Sequence, residues 1–304
     1  MKTMKRFALL MPIVAGIFWG SVGTFVRYLS AHGVNSLTIL ASRVLVAALI
    51  LLVGILLVNP AMLRIKLKDL WIFVVAALVG MLGLNVCYNE AINYLPLSLA
   101  AILLGLYPIF VMILAAFLFR EKITGRKVLC MALAIVGCVF ASGLLESGSV
   151  QWSPIGIGIG VLSAMFYAFY SVMSKVAMQR GYGVFTITFY ALLIMGIALI
   201  PFTDWPSLGA FVSTAPAKHI AFMIAHSACA SVLSYVLFTM ALRYVDAGKT
   251  SILAAGSEPL AALVLGFLLF AEVPTPLGLV GMAITITALA LLCRPEKQPK
   301  EKSG

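Results

Sequence analysis

The chain has 304 residues, of which 63% are hydrophobic and 10% charged, and its mean hydropathy is +1.12. Soluble domains carry about 25% charged residues, so this composition excludes a soluble globular protein and indicates an integral membrane protein. A net charge of +11 would suggest nucleic acid in a soluble chain; here it is a topology signal, and no nucleic-acid partner is implied.

About 20 apolar residues are needed to cross about 30 Å of hydrocarbon. Ten such runs follow one another, over 7–29, 36–58, 69–92, 97–119, 127–144, 154–177, 184–203, 217–242, 248–270 and 275–293. Short connections leave no soluble domain between them. The opening "MKTMKRFALLMPIVAG", with Lys2, Lys5 and Arg6 before an apolar stretch, has the form of a signal peptide. Its apolar run continues to Tyr28, however, too long for that class, and a later segment matches it, so it reads as the first span. Cys87, Cys130, Cys138, Cys229 and Cys293 lie in the apolar runs or at their ends. That placement gives neither a disulfide framework nor a zinc pattern.

With the N-terminus on the cytoplasmic side, ten spans place both termini inside. Eighteen of the 21 Lys and Arg then fall on inside segments, Arg27 and Lys218 fall outside, and Arg43 lies within a span. A bias this strong supports the span count as well as the orientation, because one missed helix would invert every later loop. Residues 294–304 read as a solvated cytoplasmic tail.

Residues 97–124, "LSLAAILLGLYPIFVMILAAFLFREKIT", repeat in 247–275, "AGKTSILAAGSEPLAALVLGFLLFAEVPT". Pro108 matches Pro259, and Glu121 matches Glu272, in each case 13 residues after the proline. The starts of the halves also match: Phe18 with Phe166, Arg27 with Lys175, Gly33 with Gly181 and Thr38 with Thr186. The expected fold is therefore all-α, with one five-helix repeat over 7–144 and a second over 154–293. Five is odd, so the second repeat is inverted. Inverted repeats place a ligand site near the midplane and support alternating access.

The order "FWGSVGTFVR", then Arg43, then "YNEAINYLPLSLAAILLGLYPIFVMILAAFLFREKIT", and finally "FTMALRYVDAGKTSILAAGSEPLAALVLGFLLFAEVPT" resembles the EamA-type carriers of the drug/metabolite transporter superfamily. Each half matches one EamA module. The resemblance implies a secondary transporter of the plasma membrane exporting amino acids, other metabolites or drugs, and does not select among them. Glu258 departs from the internal symmetry, since Tyr107 stands before the proline in the first half.

An ionisable group at bilayer depth normally faces a cavity or a partner. Glu258 lies about ten residues, or about 15 Å, into the ninth span. It is a candidate for proton coupling or cation binding, the alternative being a hydrogen-bonded glutamate at the kink of Pro259. Pro108 marks the symmetry-related kink. Arg43 has two readings: a pair with Glu90, or a contact for a substrate carboxylate. Asn85, Tyr88 and Asn89 suggest a polar face on the third span, and Tyr235 is the counterpart of Asn85. His226 is a candidate cavity group; with His219 it makes only a weak metal signal. Trp19 is a candidate aromatic wall, with Gly16, Gly20 and Gly23 allowing close helix packing. Glu121 and Glu272 suggest hydrogen bonding at helix ends.

No phosphate loop, metalloprotease motif, nucleophile elbow or paired intramembrane carboxylates occur, so neither catalysis nor a cofactor is implied. The expected partners are a small-molecule substrate, protons and membrane lipid; a monomer suffices and a dimer is compatible. The alternatives are an uncoupled facilitator or exchanger, and, from another class, an intramembrane enzyme or lipid-handling protein.

Overall fold

A computed structural model describes residues 2–95, 97–141, 144–145, 153–270 and 275–294. Among these, nine helices are long and apolar enough to cross a membrane. In chain order, with the tenth helix added, they are α1 (Ala8–Ala31), α2 (Ser36–Val58), α3 (Leu67–Tyr94), α4 (Leu99–Phe119), α5 (Gly125–Ala141), α6 (Pro154–Gln179), α7 (Val184–Phe202), α8 (Pro216–Tyr244), α9 (Ala247–Leu269) and α10 (Pro276–Cys293). The added helix is α5, 17 residues long. Only closed backbone hydrogen bonding survives in hydrocarbon, and these all-round apolar sequences meet that demand as helices.

Local chemistry sets the helix ends. The Asn35 side chain accepts from the Thr38 amide at 2.9 Å and starts α2. Ser153 and Thr275 cap α6 and α10 in the same way, each followed by a proline in the first turn, where the missing N–H costs nothing. Gly33 and Gly181 follow α1 and α6 with φ of +82° and +89°, the left-handed conformation that glycine tolerates best. These two glycines are matched in the internal repeat, so both halves end their first helix by one device.

A second shared device is a π-helical stretch inside a span, at Val75–Gly83 in α3 and Ala228–Leu233 in α8. Asn85 donates its side-chain amide to the Met81 carbonyl at 2.7 Å, within the first of these stretches. Other features differ between the halves. Helix α1 is interrupted at Ser21 and α4 at Gly105–Leu106, just before Pro108. Their counterparts α6 and α9 are continuous, α9 passing through Pro259.

The repeats interlock. Helix α1 packs on α8 and α9 of the other half, and α6 packs on α3 and α4. Helices α2 and α7 pair across the halves, as do α5 and α10. Side chains at the crossing of α1, α4, α6 and α8 form the central core, with Trp19, Tyr107, Tyr167, Tyr170, Tyr235 and Phe238 all buried.

One end of the bundle collects the basic connections. Arg180 pairs with Asp69 at 2.5 Å and Lys127 with Asp246 at 2.8 Å, while Lys175 pairs with Glu121. Each pair joins segments that the charge bias places on the same side. The opposite end holds an aromatic cluster of Tyr28, His32, Phe211, His219 and Phe222, in which Phe211 belongs to a ten-residue helix, Trp205–Thr214, outside the spans.

Candidate substrate and coupling site

The site begins with the contact between α1 and α9. A Cβ at Gly16 would overlap Ser257 and the Ala254 carbonyl, and one at Gly20 would overlap the Glu258 carbonyl, so these glycines let the two backbones touch. Gly23, expected in the same seam, is exposed with nothing within 4 Å of its Cβ position. The seam stops at the Ser21 break, where the outer part of α1 leaves α9.

This contact holds Glu258 about halfway along α9, half-buried beside the aromatic core. Among the described residues its carboxylate has no hydrogen-bond or ion-pair partner. It lies within electrostatic reach of Tyr88, Tyr107, Cys138, Tyr167 and Tyr235. Those five side chains come from α3, α4, α5, α6 and α8, and so from both repeats. A small apolar cavity of about 20 Å³ lies at the interruption in α4, bounded by Gly105, Pro108, Met131, Cys138 and Ala255.

Trp19 meets Tyr167, Tyr235 and Phe238 with ring centroids 5.9, 5.2 and 5.3 Å apart. Tyr167 in turn lies 4.0 Å from Tyr107. The Tyr107 hydroxyl donates to the Ser251 carbonyl at 3.1 Å, tying α4 to α9, whereas the buried Tyr167 hydroxyl has no partner. Sequence reasoning did not single out Tyr167, although the Phe18–Phe166 match makes it the repeat counterpart of Trp19. The signal was present in the internal alignment.

Arg43 departs from one expectation. It is 9% exposed, inside α2, and its Nε has no partner. Glu90 is exposed at the end of α3 and accepts from Asn93 at 3.0 Å. Their pairing does not form, because α3 turns Glu90 out of the bundle while α2 turns Arg43 inward. The groups within electrostatic reach of Arg43 are Tyr235 and His226. His226 stacks on Phe25 at 4.8 Å, and its Nε2 is buried without a partner. His219 is elsewhere, stacked on Phe211 at 3.9 Å and bonded through Nδ1 to the Phe211 carbonyl. The two histidines therefore serve separate clusters. Tyr88 and Asn89 are half-buried on α3.

At the basic end, Glu121 accepts from the amides of Ala247 and Gly248 at 3.0 and 3.4 Å and so caps α9. A cleft of about 320 Å³ opens there, lined by Glu121, Lys122, Arg126, Lys127, Asp246 and Lys249. Glu272 and the tail after residue 294 lie outside the described residues.

Ten membrane helices in two interlocked repeats form the framework of a membrane transporter. The profile described as the EamA-like transporter family matches residues 6–143 and 154–294. The chain belongs to that family, within the drug/metabolite transporter superfamily. Similar proteins include an uncharacterized transporter of Archaeoglobus fulgidus, 27% identical over 96% of this chain and 99% of that protein. A probable terminal-alkyne amino-acid exporter of Streptantibioticus cattleyicolor is 27% identical over 95% of this chain and 93% of its own. The pseudopaline exporter CntI of Pseudomonas aeruginosa is 26% identical over 80% and 81%. A crystal structure at 16% identity shares the fold, with a TM-score of 0.76 over 93% of this chain and 95% of that one.

Proposed function

We propose that this protein exports a small organic metabolite, an amino acid or an amphipathic compound, by alternating access coupled to protons through Glu258. The observation that carries the reading is the Glu258 carboxylate: it is unpartnered, at mid-helix, and surrounded by side chains from five spans of both repeats. A carboxyl group placed there exchanges its proton with whichever side the pathway faces, and its charge state acts on every span that touches the site. Trp19, Tyr167 and Tyr235 supply the wall against which an apolar part of the solute rests. Asn85 and Tyr88 line the approach along α3.

The interlocked packing supports one form of alternation. The first span of each repeat is seated on the third and fourth spans of the other, so the moving bodies combine helices from both repeats. Three ion pairs tie segments of both repeats together at the basic end. Two relatives named as exporters support outward transport, and the charge bias supports a cytoplasmic-membrane protein with both termini inside.

The test begins with thermal unfolding of the purified protein against amino acids, other metabolites and cationic drugs at two pH values. A compound that stabilises is then followed in proteoliposomes. Glu258→Gln is expected to abolish uptake driven by a proton gradient while retaining counterflow exchange. Equal loss of both activities would make Glu258 a binding or structural group, and undiminished gradient-driven uptake would establish an uncoupled exchanger.

A further inference from the structure

We propose that Arg43 is the docking point for a carboxylate of the transported solute, which makes the cargo a carboxylate-bearing organic acid or amino acid. The inference rests on the carrier reading above.

A guanidinium inside a membrane protein normally pairs with an acid or faces a water-filled cavity. Arg43 has no acidic partner among the described residues. It is 9% exposed, its Nε has no acceptor, and the groups within its electrostatic reach are a tyrosine and a histidine. Leaving a buried charge uncompensated is strongly unfavourable, so a residue placed there answers to something other than stability.

The second repeat supplies an internal control. The alignment that pairs Thr38 with Thr186 sets Ala191, 0% exposed, opposite Arg43. The alignment that pairs Asn85 with Tyr235 sets Ala76, 2% exposed, opposite His226. Both equivalent positions pack with alanine. The fold therefore needs neither a cation nor an imidazole here: Arg43 of the first repeat and His226 of the second stand together at one of two symmetry-related places, and the other is filled by alanine from each repeat.

What they offer is a set of donors awaiting acceptors. The Arg43 fork matches the two oxygens of a carboxylate. His226, with Nε2 buried and unpartnered, stands within electrostatic reach of the same guanidinium. A single guanidinium balances one negative charge, which fits a carboxylate better than a doubly charged phosphate. Phe25 lies over His226 on the segment of α1 beyond the Ser21 break, so that segment covers the site and its displacement uncovers it. Tyr235 is within electrostatic reach of both Arg43 and Glu258, and it links the carboxylate site to the coupling carboxylate.

The experiment uses the full-length protein in detergent and in proteoliposomes. The probes are L-amino acids, lactate, pyruvate, succinate and citrate, each beside its amide or methyl ester. The proposal expects at least one acid to raise the unfolding temperature while its neutral derivative does not. Arg43→Gln should weaken that response about 10- to 100-fold in half-saturating concentration, and Arg43→Lys should retain part of it. Without ligand, Arg43→Gln should unfold at the parent's temperature or above, because the substitution removes an uncompensated charge. A lower unfolding temperature would assign Arg43 to a structural pair and overturn the proposal. So would equal responses to acid and amide, or no response to any acid. Carriage of a probe by the parent at equal rates as acid and as amide would overturn the site and leave the carrier standing. Acid-specific binding without carriage of any probe would do the reverse.

Discussion

Trp19 and Tyr167 occupy equivalent positions in the two repeats and meet edge to face, their ring centroids 5.9 Å apart at an interplanar angle of 84°. Equivalent residues touch only where the pseudo-symmetry axis passes, so this pair marks the axis. Glu258 and Tyr107, equivalent to each other by the proline match, flank it. The transporter is symmetric in backbone and asymmetric in chemistry at its centre.

Replacing Trp19 with leucine removes three aromatic contacts, each worth about 0.5–1.5 kcal/mol beyond the area it buries. The expected outcome is a clear fall in unfolding temperature together with lost transport. Trp19→Phe should recover most of the stability. Thermal unfolding followed by tyrosine and tryptophan fluorescence reads both.

Tyr107 and Tyr167 are in tilted ring contact, yet their hydroxyls should behave differently. Tyr107→Phe breaks the bond to the Ser251 carbonyl and should cost about 1 kcal/mol. Tyr167→Phe removes a buried hydroxyl that has no partner and should be neutral or stabilising. If the Tyr167 variant keeps its unfolding temperature but transports poorly, its hydroxyl contacts the solute; if it transports normally, only the ring matters.

Gly20→Leu should separate α1 from α9, because any Cβ at Gly20 overlaps the Glu258 carbonyl. Small residues are what allow membrane helices to approach this closely. Gly23→Leu, three positions further and open to its surroundings, is the matched control. Size-exclusion profiles should show aggregated or sparse protein for the first and a normal peak for the second.

Asp69 is 2% exposed and is held by Arg180 at 2.5 Å and by the Tyr182 hydroxyl at 2.8 Å. Asp69 is covered by its own neighbours but sits at the end of the bundle, and Arg180 is half-exposed, so Arg180→Ala should lower the unfolding temperature only modestly because water screens the pair. Tyr182→Phe removes the hydroxyl that bonds Asp69 and should lower the unfolding temperature at least as much, since that bond is the larger influence on the Asp69 carboxyl group. Equal and negligible effects in thermal unfolding would show that water replaces both partners.

The sequence by itself determined the class of structure. Hydropathy over about 20-residue windows reports burial in lipid directly, and loop charge reports sidedness, so the helices and the inverted repeat were legible. The repeat even carried its turn chemistry, through Gly33 and Gly181. Tertiary structure alone decided which side chains meet. Whether Arg43 reaches Glu90 depends on the rotation of α2 and α3 about their own axes, which hydropathy leaves open when a helix is apolar all round. Whether Gly23 belongs to the seam depends on a break at Ser21 that no residue pattern announces. The interlock of α1 with α8 and α9 arises because each repeat, taken alone, leaves the face of its first helix uncovered, and only the inverted partner presents a surface that closes it.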